Sequence, residues 1–548
     1  MTVNIAETLS RTAAQHGART ALIEARSGKS CTFAELELYA QRYAAYLKGA
    51  GTGGIREGER VILMVRPSID FIALTFALFK IGAPVILIDP GMGYKNLLRC
   101  IENVKPDYLI GVPQVVWLSR FFRATFKGVK KRFSCGSEYG IGGPDIAKQR
   151  EVDRSAVKTF QPDQNALAAI IFTTGSTGPP KGVRFEHNIF AAQLELIKSY
   201  YEIDADDVDQ PGFALFALFS TAIGACAVIP DMDPTRPAQV DPELFINSIK
   251  QYRVTYSFGS PAIWQVVSAY CRKHSITCPT LKKVLMAGAP VSGVLIRNVY
   301  RLMAPDAQIY TPYGATESLP IVSIEGREVV SETWQKTKEG KGTCVGRPLP
   351  GIAVKVIEAV AGPIASISDC RECDCGEIGE IIVSGTVVSR AYENNESENL
   401  IAKIPAQDTF FHRLGDVGYF DEQDRLWFCG RKAHRVFARG SIMYTICCEA
   451  IFNNHPDVLR SALVGIDEGK GYQEPVIVAE LKPGSVGRAE RDRAALLAEF
   501  RERAAAHHLT RTIRYFLIHP SFPVDIRHNA KIFREKLATW ASQELGHK

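Results

Sequence analysis

The 548-residue sequence lacks the features that mark secreted, membrane-spanning, nucleic-acid-binding or disordered proteins. Residues 1–17 contain no apolar core of the kind found in signal peptides. There is no low-complexity stretch or internal repeat, and no pattern of basic and aromatic residues argues for nucleic acid. With 46% hydrophobic and 23% charged residues, the composition is that of a globular protein long enough for more than one domain.

The cysteines give no sign of a disulfide framework. They number 13, which is odd, and they are spread along the chain. Together with the absence of a signal peptide they predict a cytoplasmic protein with free thiols. Cys370, Cys373 and Cys375 form one local cluster that could hold zinc, although no fourth ligand follows at the usual spacing.

One segment has the apolar composition of a transmembrane helix. Residues 213–229 (FALFALFSTAIGACAVI) carry no charge but only reach the lower edge of spanning length. Ser220, Thr221 and Gly224 interrupt the run, and no Lys or Arg flanks it to give an orientation. We therefore expect no transmembrane segment. The run should form a strand, a turn and a helix inside the core, and wall a pocket for a fatty chain.

The net charge of +6 is unevenly distributed. Residues 431–548 contain 19 basic and 13 acidic residues, whereas the first 430 residues carry 46 of each sign. A basic C-terminal region is typical either of a solvated surface or of a site for a small polyanionic ligand, and both interpretations stay open at this point.

The order of apolar runs predicts an α/β fold. Short runs rich in Val and Ile alternate with helical patterns, which indicates parallel sheets covered by helices. Near residue 346 the pattern changes to shorter strands and turns, which indicates a β-rich subdomain. We predict a large N-terminal domain at residues 1–430 and a small, mobile α+β domain at residues 431–548.

The strongest local signal is TTGSTGPPKGV, residues 173–183, which follows a strand-like run. Its glycines let backbone N–H groups approach phosphate oxygens, its hydroxyls add donors, and Lys181 adds positive charge. It is not a Walker A motif, because Gly182 stands where Ser or Thr is required. The predicted phosphate-binding residues are Thr173, Thr174, Gly175, Ser176, Thr177 and Gly178.

A second signal is TPYGATE, residues 311–317, where a strand ends in a turn. Tyr313 could stack on a base, and Thr316 could bind a phosphate oxygen. Glu317 offers the hard oxygen ligand that Mg²⁺ prefers. Thr311 and Gly314 complete the predicted nucleotide-binding turn.

Two weaker signals follow. In GDVGYFDEQDRLWFCGRK, Asp416 lies in a Gly-flanked turn where a carboxylate could accept both hydroxyl protons of a ribose, and Arg431 ends the next hairpin. In FPVDIRHNAKIFREKLA, Lys531 follows a turn and opens an amphipathic helix. One long cation on a small mobile domain could reach a site on another domain.

Together the four segments resemble the adenylate-forming superfamily of acyl-CoA synthetases, luciferases and peptide-synthetase adenylation domains, over essentially the whole chain. The resemblance implies that ATP and Mg²⁺ are used. It implies a triphosphate site at the Gly-rich loop, adenine at the tyrosine turn, Mg²⁺ on Glu317, ribose on Asp416, and contact of Lys531 with the carboxylate and α-phosphate. MAGAP resembles the adenine-side strand end of the superfamily, which adds Gly288, Ala289 and Pro290 to the implied site.

A narrower resemblance is to the β-lactone synthetases of bacterial long-chain olefin biosynthesis. It is carried by PDMDPTRPAQ, FGSPA, GTCVG, RLWFCGRK and FPVDIRHNAKI. It implies adenylation of a long-chain 2-alkyl-3-hydroxy fatty acid, whose 3-hydroxyl then closes a β-lactone and releases AMP. It also raises, as a hypothesis, assembly with other enzymes of the olefin pathway.

One position departs from the superfamily pattern. Most members have Asp or Lys two residues after the conserved Arg, at the hinge of the C-terminal domain, and here that position is Ala433. This favours a reaction without a second substrate, although a long-chain fatty acyl-CoA ligase stays open as the alternative. His187, His434 and His528 lie in or near motifs, yet each is more typical of a structural histidine than of the base that accepts the hydroxyl proton.

Overall fold

The computed structural model describes residues 4–49, 54–136, 144–173, 179–467, 469, 471–524 and 532–546. It confirms the predicted α/β class, with helices packed on large sheets and an α+β region at the C-terminal end. The α-helices longer than one turn are Ile5–His16, Phe33–Gly49, Ile69–Lys80, Tyr94–Val104, Pro113–Leu118, His187–Tyr200, Phe216–Ile223, Pro242–Gln251, Pro261–His274, Gly293–Tyr300, Trp334–Lys338, Glu396–Ala402, Thr445–Asn453, Val486–Arg491, Arg493–Ala505 and Arg534–Glu544.

Two sheets are parallel except at one edge each, as the continuous apolar runs predict. In spatial order, the six-stranded sheet contains Lys131–Ser134, Tyr108–Gly111, Val61–Met64, Val85–Leu87, Leu167–Thr173 and Lys181–Glu186. The seven-stranded sheet contains Gln308–Tyr310, Lys283–Met286, Tyr256–Gly259, Val208–Asp209, Cys226–Ile229, Thr20–Glu24 and Ser30–Thr32. Their carboxyl ends are where a ligand is expected in such sheets.

The third large sheet is antiparallel and corresponds to the predicted β-rich subdomain. Its strands, in spatial order, are Tyr313–Ala315, Ser318–Ser323, Thr343–Pro348, Leu426–Arg431, Thr409–Phe420, Gly379–Ser384 and Ala353–Ile357, with Lys403–Ala406 paired to Thr409–Phe420. The register between the strands Thr409–Phe420 and Leu426–Arg431 places Asp416 directly opposite Arg431.

Beyond Arg431 the described strands form small sheets of their own. One is the hairpin of Val436–Ala438 and Ser441–Met443, and the other contains Val458–Asp467, Gln473–Leu481 and Tyr515–Ile518. The latter packs against Thr445–Asn453, Arg493–Ala505 and Arg534–Glu544. The division of the chain at residues 430 and 431 stays a prediction.

The membrane-like segment folds within the core. It contains the helix Phe216–Ile223 and the strand Cys226–Ile229, joined through Gly224 at a φ of 101°. That left-handed conformation ends the helix, and a side chain there would be strained. Within the described ranges, no helix is both long and apolar enough to span a bilayer.

Behind this helix lies a buried carboxyl group. Asp209 is 1% exposed and accepts a hydrogen bond from Ser220 Oγ at 2.5 Å, while Tyr256 donates to the same Ser220 Oγ at 2.9 Å. Burial is the largest influence on Asp209 and raises its pKa from 3.8 to about 8.

We predict that Asp209→Asn removes a pH dependence of stability. Because the folded chain holds a proton on Asp209 that the unfolded chain releases, the free energy of unfolding should fall as pH rises between 3.8 and about 8. The free energy of unfolding of Asp209→Asn, compared with that of the native protein at the same pH, should therefore become larger as the pH rises. Urea midpoints from about pH 5 to about pH 9 measure this.

The control for this prediction is Asp408→Asn, which changes an exposed carboxylate of the same chain. It should leave the pH dependence of the urea midpoint as in the native protein. Parallel curves for the native protein and Asp209→Asn would show that Asp209 is ionised in the fold across this range.

Candidate active site

One cavity of about 2900 Å³ opens where the carboxyl ends of both parallel sheets face the antiparallel sheet. Side chains of the C-terminal region close its remaining side. Most of the sequence-predicted residues that the structure describes line this cavity: Lys181, Gly288, Ala289, Pro290, Thr311, Tyr313, Gly314, Thr316, Glu317, Asp416 and Arg431. The fold therefore brings together segments that are more than 200 residues apart in the sequence.

The Gly-rich loop is described only at its ends. Thr173 closes one strand and Lys181 opens the next, and the two residues pair across them. Residues 174–178, from Thr174 to Gly178, and the side chain of Thr173 lie outside the described part of the chain. Their predicted contacts with phosphate therefore stay predictions.

Lys181 is held by side chains that the sequence analysis did not single out. Its Nζ forms an ion pair with Glu398, on the helix Glu396–Ala402, and lies 5.2 Å from the ring centroid of Tyr392. An ammonium over an aromatic face gains electrostatic stabilisation. Lys181 is thus pre-positioned at the cavity wall next to the end of the Gly-rich loop.

Glu317 lies close to Lys181, because Tyr392 contacts both side chains. Tyr392 donates its hydroxyl to Glu317 Oε1 at 2.7 Å, and the backbone N–H of Ser389 donates to the carbonyl of Glu317 at 2.7 Å. In the described part of the chain, Glu317 Oε2 has no hydrogen-bond partner. Glu317 and Thr316 both line the cavity. The Glu317 carboxylate is held in place and has one oxygen available, which suits Mg²⁺ because this ion prefers hard oxygen ligands.

Tyr313, Asp416 and Arg431 form a connected group. Tyr313 donates its hydroxyl to Asp416 Oδ2 at 2.7 Å, and Arg431 Nη1 lies 3.0 Å from Asp416 Oδ1. Burial and the adjacent carboxylate raise the pKa of Tyr313 well above its ordinary value, so the phenol stays a donor. Arg431 also donates to the carbonyl of Leu414 at 3.0 Å, which fixes the orientation of the Asp416 carboxylate.

The adenine-side segment follows the strand Lys283–Met286. The backbone N–H of Ala287 donates to the carbonyl of Gly259 at 3.2 Å, and Gly288 has a φ of 95°. This turn carries Ala289 and Pro290 along the cavity wall.

The apolar wall of the cavity comes largely from the membrane-like segment, as predicted. Phe213, Phe216 and Phe219 line it, and Phe216 stacks on Phe258 with 3.7 Å between ring centroids. Ala225, in the same run, is fully buried and does not line the cavity. It lies in the turn after the helix, where its side chain packs into the core.

The C-terminal region contributes Ala433, His434, Ile532 and Arg534 to the cavity. Arg534 forms two hydrogen bonds to Glu449, at 2.6 and 2.8 Å, and His434 Nε2 lies 3.4 Å from Glu535. Burial lowers the pKa of His434 to about 4, so its imidazole is neutral at pH 7. The helix near the predicted lysine begins at Arg534.

The predicted lysine itself, Lys531, and His528 lie outside the described residues. His187 has no place in the cavity, because it is buried between the rings of Phe79 and Phe160. Burial lowers its pKa to about 4, as expected for a structural histidine. The three clustered cysteines do not form a candidate metal group in the described ranges.

Lys403 is a further group that sequence reasoning missed. Its side chain donates to the carbonyl of Ser389 and lies 5.0 Å from the ring centroid of Phe410. Burial lowers its pKa to about 7, although Glu317 and Glu186 act in the opposite direction. Tyr392, Glu398 and Lys403 all fall in the segment AYENNESENLIAK, which has no distinctive spacing that could have marked it.

Comparison with known proteins gives several matches. The model of the family described as AMP-binding enzyme matches residues 9–393. The olefin beta-lactone synthetase of Stenotrophomonas maltophilia is 42% identical over 519 residues, which cover 94% of this chain and 91% of that protein. The enzyme of the same name from Xanthomonas campestris pv. campestris is 41% identical with the same coverage. The long-chain-fatty-acid–CoA ligase of Thermus thermophilus is 24% identical, over 87% of this chain and 86% of its own.

Solved structures share the fold. The anthranilate CoA ligase AuaEII in complex with anthranoyl-AMP matches with a TM-score of 0.80 at 17% identity, covering 99% of this chain and 98% of that one. The o-succinylbenzoate CoA synthetase MenE of Bacillus subtilis, in complex with ATP and magnesium ion, matches with a TM-score of 0.74 at 21% identity, covering 97% and 98%.

We predict that Tyr313→Phe weakens ATP binding about tenfold, because a hydrogen bond to a charged group contributes about 1.5–3 kcal/mol. The ring remains, so only the positioning of Asp416 is lost. Calorimetric titration with ATP measures this without a second substrate. Tyr419→Phe is the matched control, since the Tyr419 hydroxyl donates to the backbone carbonyl of Lys341 at 2.9 Å and Tyr419 does not line the cavity. Equal ATP affinity for Tyr313→Phe and the native protein would contradict the assignment.

Proposed function

Because the chain belongs to the AMP-binding enzyme family, and to the olefin β-lactone synthetase family within it, we propose that it converts a long-chain 2-alkyl-3-hydroxy fatty acid to a β-lactone. The chain is an AMP-forming ligase. In the proposed reaction the carboxylate attacks the α-phosphate of ATP and releases pyrophosphate. The oxygen of the 3-hydroxyl then attacks the acyl carbon, loses its proton and displaces AMP.

One observation carries the choice of product. Two β-lactone synthetases match at 41% and 42% identity along 94% of the chain, while the long-chain acyl-CoA ligase of Thermus thermophilus matches at 24%. The cavity is compatible with the same substrate, since a polar nucleotide-binding end and an apolar phenylalanine wall share one space. The alternative of a long-chain acyl-CoA ligase is therefore less favoured.

The adenylation step brings a carboxylate against a triphosphate, and both are negatively charged. Lys181 lies at the cavity wall near the Gly-rich loop, where its charge would offset the repulsion as it develops. Glu317 would hold Mg²⁺, which supplies further positive charge on the phosphate oxygens. We assign Lys531 to the carboxylate and α-phosphate, which would make the C-terminal region a catalytic lid.

The nucleoside and the α-phosphate are assigned to other side chains of the same cavity. Asp416 would accept the ribose hydroxyls, with its orientation fixed by Tyr313 and Arg431. The turn of Gly288, Ala289 and Pro290 would contact adenine, and Thr316 would contact the α-phosphate. The hydroxyl that closes the ring belongs to the acid itself, so the enzyme must mainly fix its orientation.

The decisive experiment omits CoA. The purified enzyme, ATP, Mg²⁺ and a long-chain 2-alkyl-3-hydroxy acid should give AMP and a product lighter than the acid by one water, measured by mass spectrometry. The matching acid without the 3-hydroxyl has no internal nucleophile, so it should form an adenylate and stall. Lys531→Ala should lose about 10²–10³ in rate with both acids, because a charge-stabilising donor is removed.

An obligatory requirement for CoA, with a thioester accumulating, would contradict the proposal and support the acyl-CoA ligase. The rates of pyrophosphate and AMP release should be measured separately. An enzyme that releases pyrophosphate but no lactone would retain adenylation and lose the second step.

A second prediction concerns chain length. Phe216→Asp should lower kcat/KM for long-chain acids at least about tenfold more than for short-chain acids, because each buried CH₂ contributes about 0.8 kcal/mol to binding. Leu244→Asp is the control, since Leu244 is exposed and does not line the cavity. An equal loss for both chain lengths would mean that Phe216 does not contact the alkyl chain.

A further inference from the structure

An aromatic patch projects from the surface beside the cavity. It consists of Trp117, Leu118, Phe121 and Phe122, which are 49%, 46%, 64% and 41% exposed. These are four of the 16 large apolar side chains that are exposed among the described residues, and they fall within six consecutive positions. Clusters of this kind mark interaction surfaces, whereas isolated exposed apolar residues are ordinary.

The patch is held rigidly from below. Val116 is fully buried on the helix Pro113–Leu118, and Phe126 is 5% exposed, so the segment is anchored in the core at both ends. Trp117 and Phe121 meet edge to face with ring centroids 4.5 Å apart. The exposed rings of Trp117 and Phe121 therefore contact each other on a segment that is anchored in the core.

The chain segment that carries the patch has charged residues of one sign. Residues 108–137 contain six basic residues and no acidic one. Lys130 pairs with Asp107 at 2.8 Å and Arg132 donates to Ser119 at 3.0 Å, so those two belong to the fold. Arg120, Arg123 and Lys127 are exposed next to the rings. The sequence analysis did not single out this combination of basic and aromatic residues.

The same short segment also reaches the cavity. Val112 and Val115 line the cavity, and Trp117 and Leu118 follow on the outer surface two and three residues after Val115. The helix Pro113–Leu118 thus carries Val115 on the cavity wall and Trp117 and Leu118 on the outer surface.

We propose that the aromatic patch docks the protein on an anionic lipid surface. Trp and Phe with flanking Arg and Lys are the composition that binds the headgroup boundary, where rings enter the apolar layer and cations contact anionic headgroups. In addition, and resting on the proposed function, a long-chain acid dissolves in a bilayer, so docking places the cavity beside its substrate.

Vesicle sedimentation tests this without any substrate. The full chain is mixed with phosphatidylcholine vesicles, with or without phosphatidylglycerol, and the pelleted fraction is measured. The chain should bind the anionic vesicles. Arg120→Gln with Arg123→Gln should weaken binding about fivefold per charge, and high salt should abolish that difference. Trp117→Ser with Phe121→Ser should weaken it at least about tenfold.

The matched control is Leu244→Ser, which removes an apolar side chain that is 47% exposed elsewhere on the surface. It should bind vesicles like the native protein, and all variants should retain the native thermal midpoint. Absence of binding to anionic vesicles would overturn the proposal, as would native binding by the Trp117 and Phe121 double variant. A patch that docks a protein partner gives the first of these results. Vesicle binding by a chain that makes no β-lactone would contradict only the proposed function.

Discussion

Charged groups that leave water need partners, and this constraint organises the cavity. Four cations that line it pair with carboxylates: Lys181 with Glu398, Arg431 with Asp416, Lys432 with Glu380 and Arg534 with Glu449. Each pair joins two segments that are separate in the sequence. The ion pairs therefore help to hold the strands of the antiparallel sheet, the helix Glu396–Ala402 and the C-terminal region in place. Of these four cations, Lys181 lies at the end of the loop that is assigned to the triphosphate.

The antiparallel sheet provides the rigid support for this arrangement. Arg413 and Glu380 form a buried pair across neighbouring strands, with Arg413 Nη2 2.7 Å from Glu380 Oε2. Lys432 joins the same carboxylate at 2.8 Å, immediately after Arg431. Removing Glu380 would leave the buried Arg413 guanidinium without its counter-charge, which typically costs about 3–5 kcal/mol. The start of the C-terminal region is therefore tied to the strands that position Asp416.

The sequence predicts those parts of the site whose chemistry is local. Short apolar runs indicate the strands, and Gly-rich or tyrosine turns at their ends indicate the nucleotide wall around Tyr313 and Glu317. Side-chain contacts between segments that are distant in the sequence have no local pattern by which they could be predicted. Tyr392 and Glu398 support Glu317 and Lys181, yet nothing in their own segment suggests it. From the sequence alone, Phe219 and Ala225 are equally plausible as pocket residues. In the structure the helix ends at Gly224, so Ala225 is buried in the core whereas Phe219 lines the cavity.

An internal nucleophile changes what such a fold must provide. A thioester-forming enzyme needs a route for a second, bulky substrate, whereas lactone closure needs only that the 3-hydroxyl approach the activated carbonyl in the right orientation. A cavity of about 2900 Å³ with one continuous apolar wall can hold the acyl chain while the nucleotide occupies the polar end. Ring strain opposes closure of a four-membered lactone, and cleavage of the mixed anhydride offsets it. The chemistry thus requires exclusion of water, because hydrolysis of the same anhydride is the competing reaction.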